Sequence, residues 1–138
     1  MKERTPTNRE LNRLALGTVQ FGLNYGIANK KGQVSFQEAK AILQKAQSIG
    51  IDTLDTAVAY GESENRLGQI GVQEWKVVSK LPSIPDGCSD ISQWMTVTVK
   101  DSLKRLGVNS LYGVLLHRPK QLLENNGESI FNALQKLK

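Results

Sequence analysis

Four short apolar runs, each closed by a turn signal and each followed by a segment with helical spacing, recur along this chain at intervals near the ~30 residues of a β-α-β unit. No other feature restricts the fold so much. A helix that follows each strand returns the chain to the starting end of the sheet, so successive strands must run parallel.

The first run, RLALGTVQ (13–20), reads as a buried strand, and FGLNYGIANKKGQV (21–34), with three glycines and two asparagines, reads as a long loop. Ser35 opens a helix, with Glu38 at the capping-box spacing and Phe36, Ala39, Ile42, Leu43, Ala46 and Ile49 on one face. Gly50 ends it as a left-handed cap. Ile51 to Asp55 is then a second strand, and Glu62 to Gly71 a short helix resting on Leu67, Ile70 and an acidic first turn. WKVVSKLP (75–82) is the third strand, β-branched in the middle and stopped by Pro82. Ile91 to Leu106 places Trp94, Val99, Leu103 and Leu106 near one helical face and is closed by Gly107. LYGVLLH (111–117) is the fourth strand, and Ile130, Phe131, Leu134 and Leu137 build a last helix. Runs such as VVS and VLL, which lack strict alternation, predict strands covered on both faces.

Two α/β architectures satisfy this order: an open doubly wound sheet, or four βα units of a parallel (β/α)8 barrel. The chemistry-bearing residues favour the barrel, where such groups collect at the C-terminal ends of several different strands. Asp55 and Tyr60 follow strand two, Lys80 ends strand three and His117 ends strand four. No phosphate-binding GxGxxG or GxxxxGK follows the first strand, which weakens the doubly wound alternative.

Each of the four has an ordinary structural explanation when taken singly: Asp55 as a turn cap, Tyr60 as a packing aromatic, Lys80 as a solvated strand end, His117 as a structural histidine. Together they describe a proton-donating device. Tyrosine is a reluctant acid at neutral pH, and a neighbouring ammonium stabilises its phenolate form. Lys80 supplies the ammonium, Asp55 the counter-charge that keeps it protonated, and His117 a hydrogen bond that orients the reacting oxygen.

The remaining totals exclude more than they assign. At 138 residues the chain makes one domain, burying roughly two-thirds of its unfolded surface. A net charge of +5 favours anionic ligands, but the basic residues are scattered without interleaved aromatics, so no nucleic acid is expected as a partner. Cys88 is the only cysteine, and MKERTPTNRELNR has no apolar stretch of signal-peptide or membrane-anchor type, which together predict a cytoplasmic protein with no disulfide and no membrane association. A catalytic zinc normally takes three protein ligands, and His117 is the only histidine, so no metal is expected.

LALGTVQFG (14–22), IDTLDTAVAYGESENRLG (51–68), VVSKLP (77–82) and SLKRLGVNSLYGVLLHRP (102–119) resemble the aldo-keto reductases, in the right order and over most of the chain. The DTAxxYGxSExxLG stretch is the specific part of the likeness, and the LGTVQFGLNYGIANKKG and LLHRP stretches look closest to a bacterial branch associated with polysaccharide and nucleotide-sugar genes. The resemblance implies a (β/α)8 barrel that reduces a small aldehyde or ketone with NADPH, or NADH, as hydride source. It further implies Tyr60 as general acid, Lys80 and Asp55 as its tuning pair and His117 as the group that positions the carbonyl, with Gly17, Thr18 and Asp55 beside the cofactor. Val19 stands where many members carry Trp, which alters the wall of the substrate pocket.

A complete barrel of this kind takes ~250 residues, so four units make a half barrel. The resemblance places most of the cofactor grip in the other half. Strands one and four are then open edges, for which self-association, aggregation or continuation into a longer chain are the expected outcomes. Two further readings stay open beside the reductase: an interaction module built on a half barrel, and a lyase forming a Schiff base on Lys80.

Overall fold

The computed structural model describes residues 13–138. Four strands, β1 (Ala15–Gly17), β2 (Thr53–Asp55), β3 (Lys76–Leu81) and β4 (Gly113–Leu116), lie in sequence order, each paired in parallel with the next. Helices α1 (Phe36–Ser48), α2 (Ser63–Ile70) and α3 (Ile91–Leu106) form the crossovers, and α4 (Gly127–Lys136) follows β4 after a 3-10 segment at Pro119–Leu123. None of these helices is long and apolar enough to cross a membrane.

Local chemistry sets the helix ends. At the start of α1 the Ser35 hydroxyl accepts from the Glu38 amide and the Glu38 carboxylate accepts from the Ser35 amide, each at 3.2 Å, completing the expected capping box. The Ser35 hydroxyl also donates to the Glu38 carboxylate at 2.8 Å, and this bond, with the one from the Ser35 amide, favours the ionised form and holds the Glu38 carboxyl below its ordinary range. At the other end Gly50 takes φ +90°, and the amides of Gly50 and Ile51 turn back to the carbonyls of Gln47 and Ala46. Gly107 closes α3 in the same way at φ +65°.

The register aligns Gly17, Asp55, Val78 and Gly113 across the sheet, with Lys80 opposite Leu115 one step further on. Successive strand residues point to opposite faces, so these positions share one face, and Leu54, Val77, Ser79 and Leu81 share the other. All of the latter four are buried under the helices. Two apolar clusters form there, one around Phe21, Leu43, Leu54, Leu67, Val77 and Leu106, the other around Leu81, Ile91, Met95 and Ile130.

Several sequence expectations need correction. The strands are covered on one face only among the described residues: in β3 the buried positions Val77, Ser79 and Leu81 alternate with the less buried Lys76, Val78 and Lys80. Strand one does not extend through residues 13–20: it stops at Gly17, and Val19–Gly22 forms a single helical turn. At that end the Thr18 amide completes the ladder to the Asp55 carbonyl at 3.0 Å and the Thr18 hydroxyl donates to the same oxygen at 3.0 Å. Ile42 and Ile49 of α1 are partly exposed, as α1 rests on the sheet through Ala39, Leu43 and Ala46 and its apolar stripe is wider than that contact. Phe131, expected to build the last helix inward, is 53% exposed, and Leu115 on β4 is 51% exposed on the uncovered face.

Glycine is required where α2 meets α3. A Cβ on Gly68 would lie 2.0 Å from the Arg105 carbonyl oxygen, so the helices touch backbone to backbone. A Cβ on Gly17 meets nothing within 4 Å. Gly68→Ala therefore destabilises the fold by about 2 kcal/mol or more through overpacking, whereas Gly17→Ala leaves the urea midpoint close to that of the parent.

Away from the C-terminal rim, Lys76 Nζ pairs with Asp52 at 2.7 Å, and the hydrogen bond holds the Asp52 carboxyl below, and the Lys76 ammonium above, their ordinary values of 3.8 and 10.5. A lowered carboxylate stabilises the fold above its unfolded value and loses that contribution as pH falls through the folded one. A raised ammonium contributes below its unfolded value and loses it as pH rises through the folded one. The stability difference between the parent and Asp52→Asn should thus be small and flat at neutral pH. It should vanish in acid below the folded carboxyl value, in urea titrations run across pH.

Candidate active site

The rim at the C-terminal ends of the strands gathers the four sequence-predicted side chains. Asp55 is the last residue of β2, Lys80 the next-to-last of β3, His117 the first after β4, and Tyr60 lies in the β2–α2 connection. Parallel pairing brings Asp55 and Lys80 together, because residues of one parity at one end of a parallel sheet look into one space, and the β2–α2 connection carries Tyr60 to the same place.

Lys80 is the hub. Its ammonium forms an ion pair with Asp55 Oδ1, donates to the Thr56 carbonyl at 3.1 Å and to the Tyr60 hydroxyl at 3.4 Å. An ammonium has three N–H bonds, and all three are engaged. Because the phenol oxygen accepts from Lys80, its own O–H is left to donate elsewhere. The Tyr60 and His117 rings meet edge to face, with centroids 5.7 Å apart and planes at 86°. The Lys80 side chain is 17% exposed and its Asp55 partner 42%, so the cation is set back from solvent and the carboxylate stands at the opening.

The turn that carries Tyr60 is pressed against the helical turn Val19–Gly22 that follows β1. A Cβ on Gly22 would fall 1.6 Å from the Tyr60 carbonyl oxygen, and one on Gly61, at φ +54°, would fall 2.7 Å from the Gly22 oxygen. Only glycines permit this approach. The Tyr60 amide donates to the Ala57 carbonyl and the Ser63 amide to the Tyr60 carbonyl, which fixes the ring-bearing residue in consecutive turns.

A family model described as "Aldo/keto reductase family" matches residues 13–138. The chain belongs to the aldo/keto reductase family. Two solved structures from Pseudomonas aeruginosa, each provisionally described as an aldo-keto reductase, are similar to it. One is 31% identical with a TM-score of 0.68, covering 88% of this chain and 50% of its own. The other is 30% identical with a TM-score of 0.65, covering 88% and 49%. This chain thus spans about half the length of the solved structures it matches, and its four βα units are of the parallel (β/α)8 barrel type. No curated protein matches it.

Within this aldo/keto reductase chain, the positions that the resemblance places beside a nicotinamide cofactor divide into two kinds. Gly17 and Asp55 lie opposite one another on the uncovered face, and the lack of any atom near a Gly17 Cβ leaves room for a flat ring over the rim, so these residues fit the group. Thr18 is fully buried, and its hydroxyl donates to the Asp55 carbonyl and accepts from Ser63 Oγ at 2.9 Å. Its side chain therefore supports the backbone at Asp55.

Ser63 and Glu64, the first two residues of α2, stand in the DTAxxYGxSExxLG stretch, but the sequence reading gives neither a role beyond an acidic first turn. Ser63 Oγ lies between Thr18 and Thr56, at 2.9 Å and 3.1 Å from their hydroxyls, and binds the ends of β1 and β2 together. Glu64 reaches Ser79, Ser102 and Arg105. A signal was present: both stand three or four residues before Leu67, so helical spacing puts them on its inward face.

Proposed function

We propose that this chain carries the proton-donating half of an NAD(P)H-dependent carbonyl reductase acting on a small aldehyde or ketone. The observation that carries this reading is the Lys80 ammonium held between the Asp55 carboxylate and the Tyr60 hydroxyl. A nicotinamide supplies a hydride, which no side chain can provide. What the chain must add is a proton for the oxygen that gains charge, and a place for that oxygen.

Tyr60 donates the proton. As its O–H bond breaks, the oxygen becomes phenolate beside the Lys80 cation, whose position is set by Asp55 and by the Thr56 carbonyl. His117, packed on the edge of the Tyr60 ring, borders the same space and orients the carbonyl oxygen toward the phenol. Addition of hydride to carbon and of this proton to oxygen gives the alcohol, and the phenol is restored from solvent. Gly17 and the open carboxylate edge of Asp55 form the floor on which the cofactor ring would lie.

The engagement of Lys80 speaks against imine chemistry. A Schiff base needs a neutral amine with a free lone pair, and here all three N–H bonds have acceptors, one of them charged.

The reading is tested by following NADPH consumption with an aldehyde substrate. Tyr60→Phe and Lys80→Met should each lower kcat by roughly 100-fold or more, within the range set by loss of a general acid. NADPH affinity should be largely retained in Tyr60→Phe. Full activity in Tyr60→Phe would sink the assignment.

We further propose that the open edges lead this chain to self-associate. Among the described residues β1 pairs only with β2 and β4 only with β3, and Leu14, Tyr112, Leu115 and Phe131 expose apolar surface at or beside those edges. Sedimentation velocity should give a mass that rises with concentration. A concentration-independent 15.3 kDa species would overturn this.

A further inference from the structure

Glu64 is a buried charge that the proton transfer does not use. It is 1% exposed, yet all its donors are in place: Oε1 accepts from Ser79 Oγ at 2.6 Å and from Ser102 Oγ, and Oε2 accepts from Arg105 Nε at 2.8 Å. Arg105 Nη2 lies 2.7 Å from Oε2 without the alignment of a hydrogen bond, so that contact is ionic. Stability alone is a poor reason for such a group, because an apolar side chain of similar volume in place of a buried ion pair is often neutral or stabilising. Directional bonds give something that packing does not, namely a fixed geometry between elements.

The elements joined here are the ones that bear the reacting groups. Ser79 precedes Lys80 on β3, and since neighbouring strand residues face opposite ways, a bond to Ser79 from the helix side fixes the backbone from which Lys80 reaches the rim. Tyr60 lies four residues before Glu64, linked by the Ser63 amide that donates to the Tyr60 carbonyl at 3.1 Å. The contact is completed from α3 by Ser102 and Arg105, which come within reach because Gly68 allows backbone contact between the helices.

We propose that Glu64 is a positioning residue that holds the Tyr60 hydroxyl against the Lys80 ammonium, by binding the start of α2 to Ser79 of β3 from outside the reacting space. Its catalytic consequence rests on Tyr60 being the proton donor. Its geometric content does not. A carboxylate suits the place because it only accepts, and three donors, two O–H and one N–H, hydrogen-bond to it; the amide of a glutamine would turn an NH2 toward at least one of those donors.

The test uses the chain labelled with fluorotyrosine, whose three tyrosines, Tyr25, Tyr60 and Tyr112, give separate fluorine resonances. Loss of a signal in Tyr60→Phe assigns Tyr60, and Tyr112, near Lys76 at the other end of β3, serves as the control. Glu64→Gln should move the Tyr60 resonance and leave Tyr112 in place. It should lower kcat by roughly 10- to 100-fold with little change in KM, the signature of a misplaced rather than a missing group. Ser79→Ala, which removes one hydroxyl of the contact, should shift the same resonance in the same direction and decides the matter should Glu64→Gln fail to fold. A Tyr60 resonance that stays put in the folded variants overturns the proposal, as does an unchanged kcat in an enzyme that Tyr60→Phe inactivates. If Tyr60→Phe is fully active, the reductase mechanism fails while the fluorine spectra still decide whether Glu64 sets the position of the ring.

Discussion

The structure depends on parallel registration of four strands covered by helices on one side. Register places Gly17, Asp55 and Val78 in line, and period-two alternation then sends Asp55 and Lys80 to one face and Leu54, Ser79 and Leu81 to the other. From that single constraint come both the apolar layer under the helices and the convergence of an acid, an ammonium, a phenol and an imidazole at the strand ends. A shift of one residue in β3 would bury Lys80 among the leucines and turn Ser79 outward.

Around the rim, polar contacts below the surface do as much as the exposed groups. Thr18, Thr56 and Ser63 share hydroxyl contacts at the ends of β1 and β2, and Glu64 extends the contact to β3 and α3. Each of these groups is buried and each has a partner, which is the condition under which buried polarity gives rigidity instead of a penalty. The rim is thus held from behind by buried donors and acceptors.

Much of this was legible in the sequence. Ser35 with Glu38, and Gly50 and Gly107 after apolar periodic segments, marked helix ends because capping is a local matter of few residues. The rim residues were legible because strand ends are marked by proline, glycine and charge. What stayed hidden was nonlocal. The Thr18 hydroxyl donates to the carbonyl of Asp55, 37 positions away, and the burial of Glu64 depends on Ser79, Ser102 and Arg105. Coverage of the sheet was misjudged because VVS looks continuous when its serine is taken as a break. In fact Val77 and Ser79 face the helices, and Val78 looks the other way.

One-sided burial also separates two duties that most folds mix. Nearly all the apolar packing lies beneath the helices, so side chains on the opposite face of the sheet hold little of the structure together. Such a surface can accept new neighbours around the opening without repacking the layer that keeps the chain folded. Diversification of what the mouth recognises is decoupled from the cost of staying native.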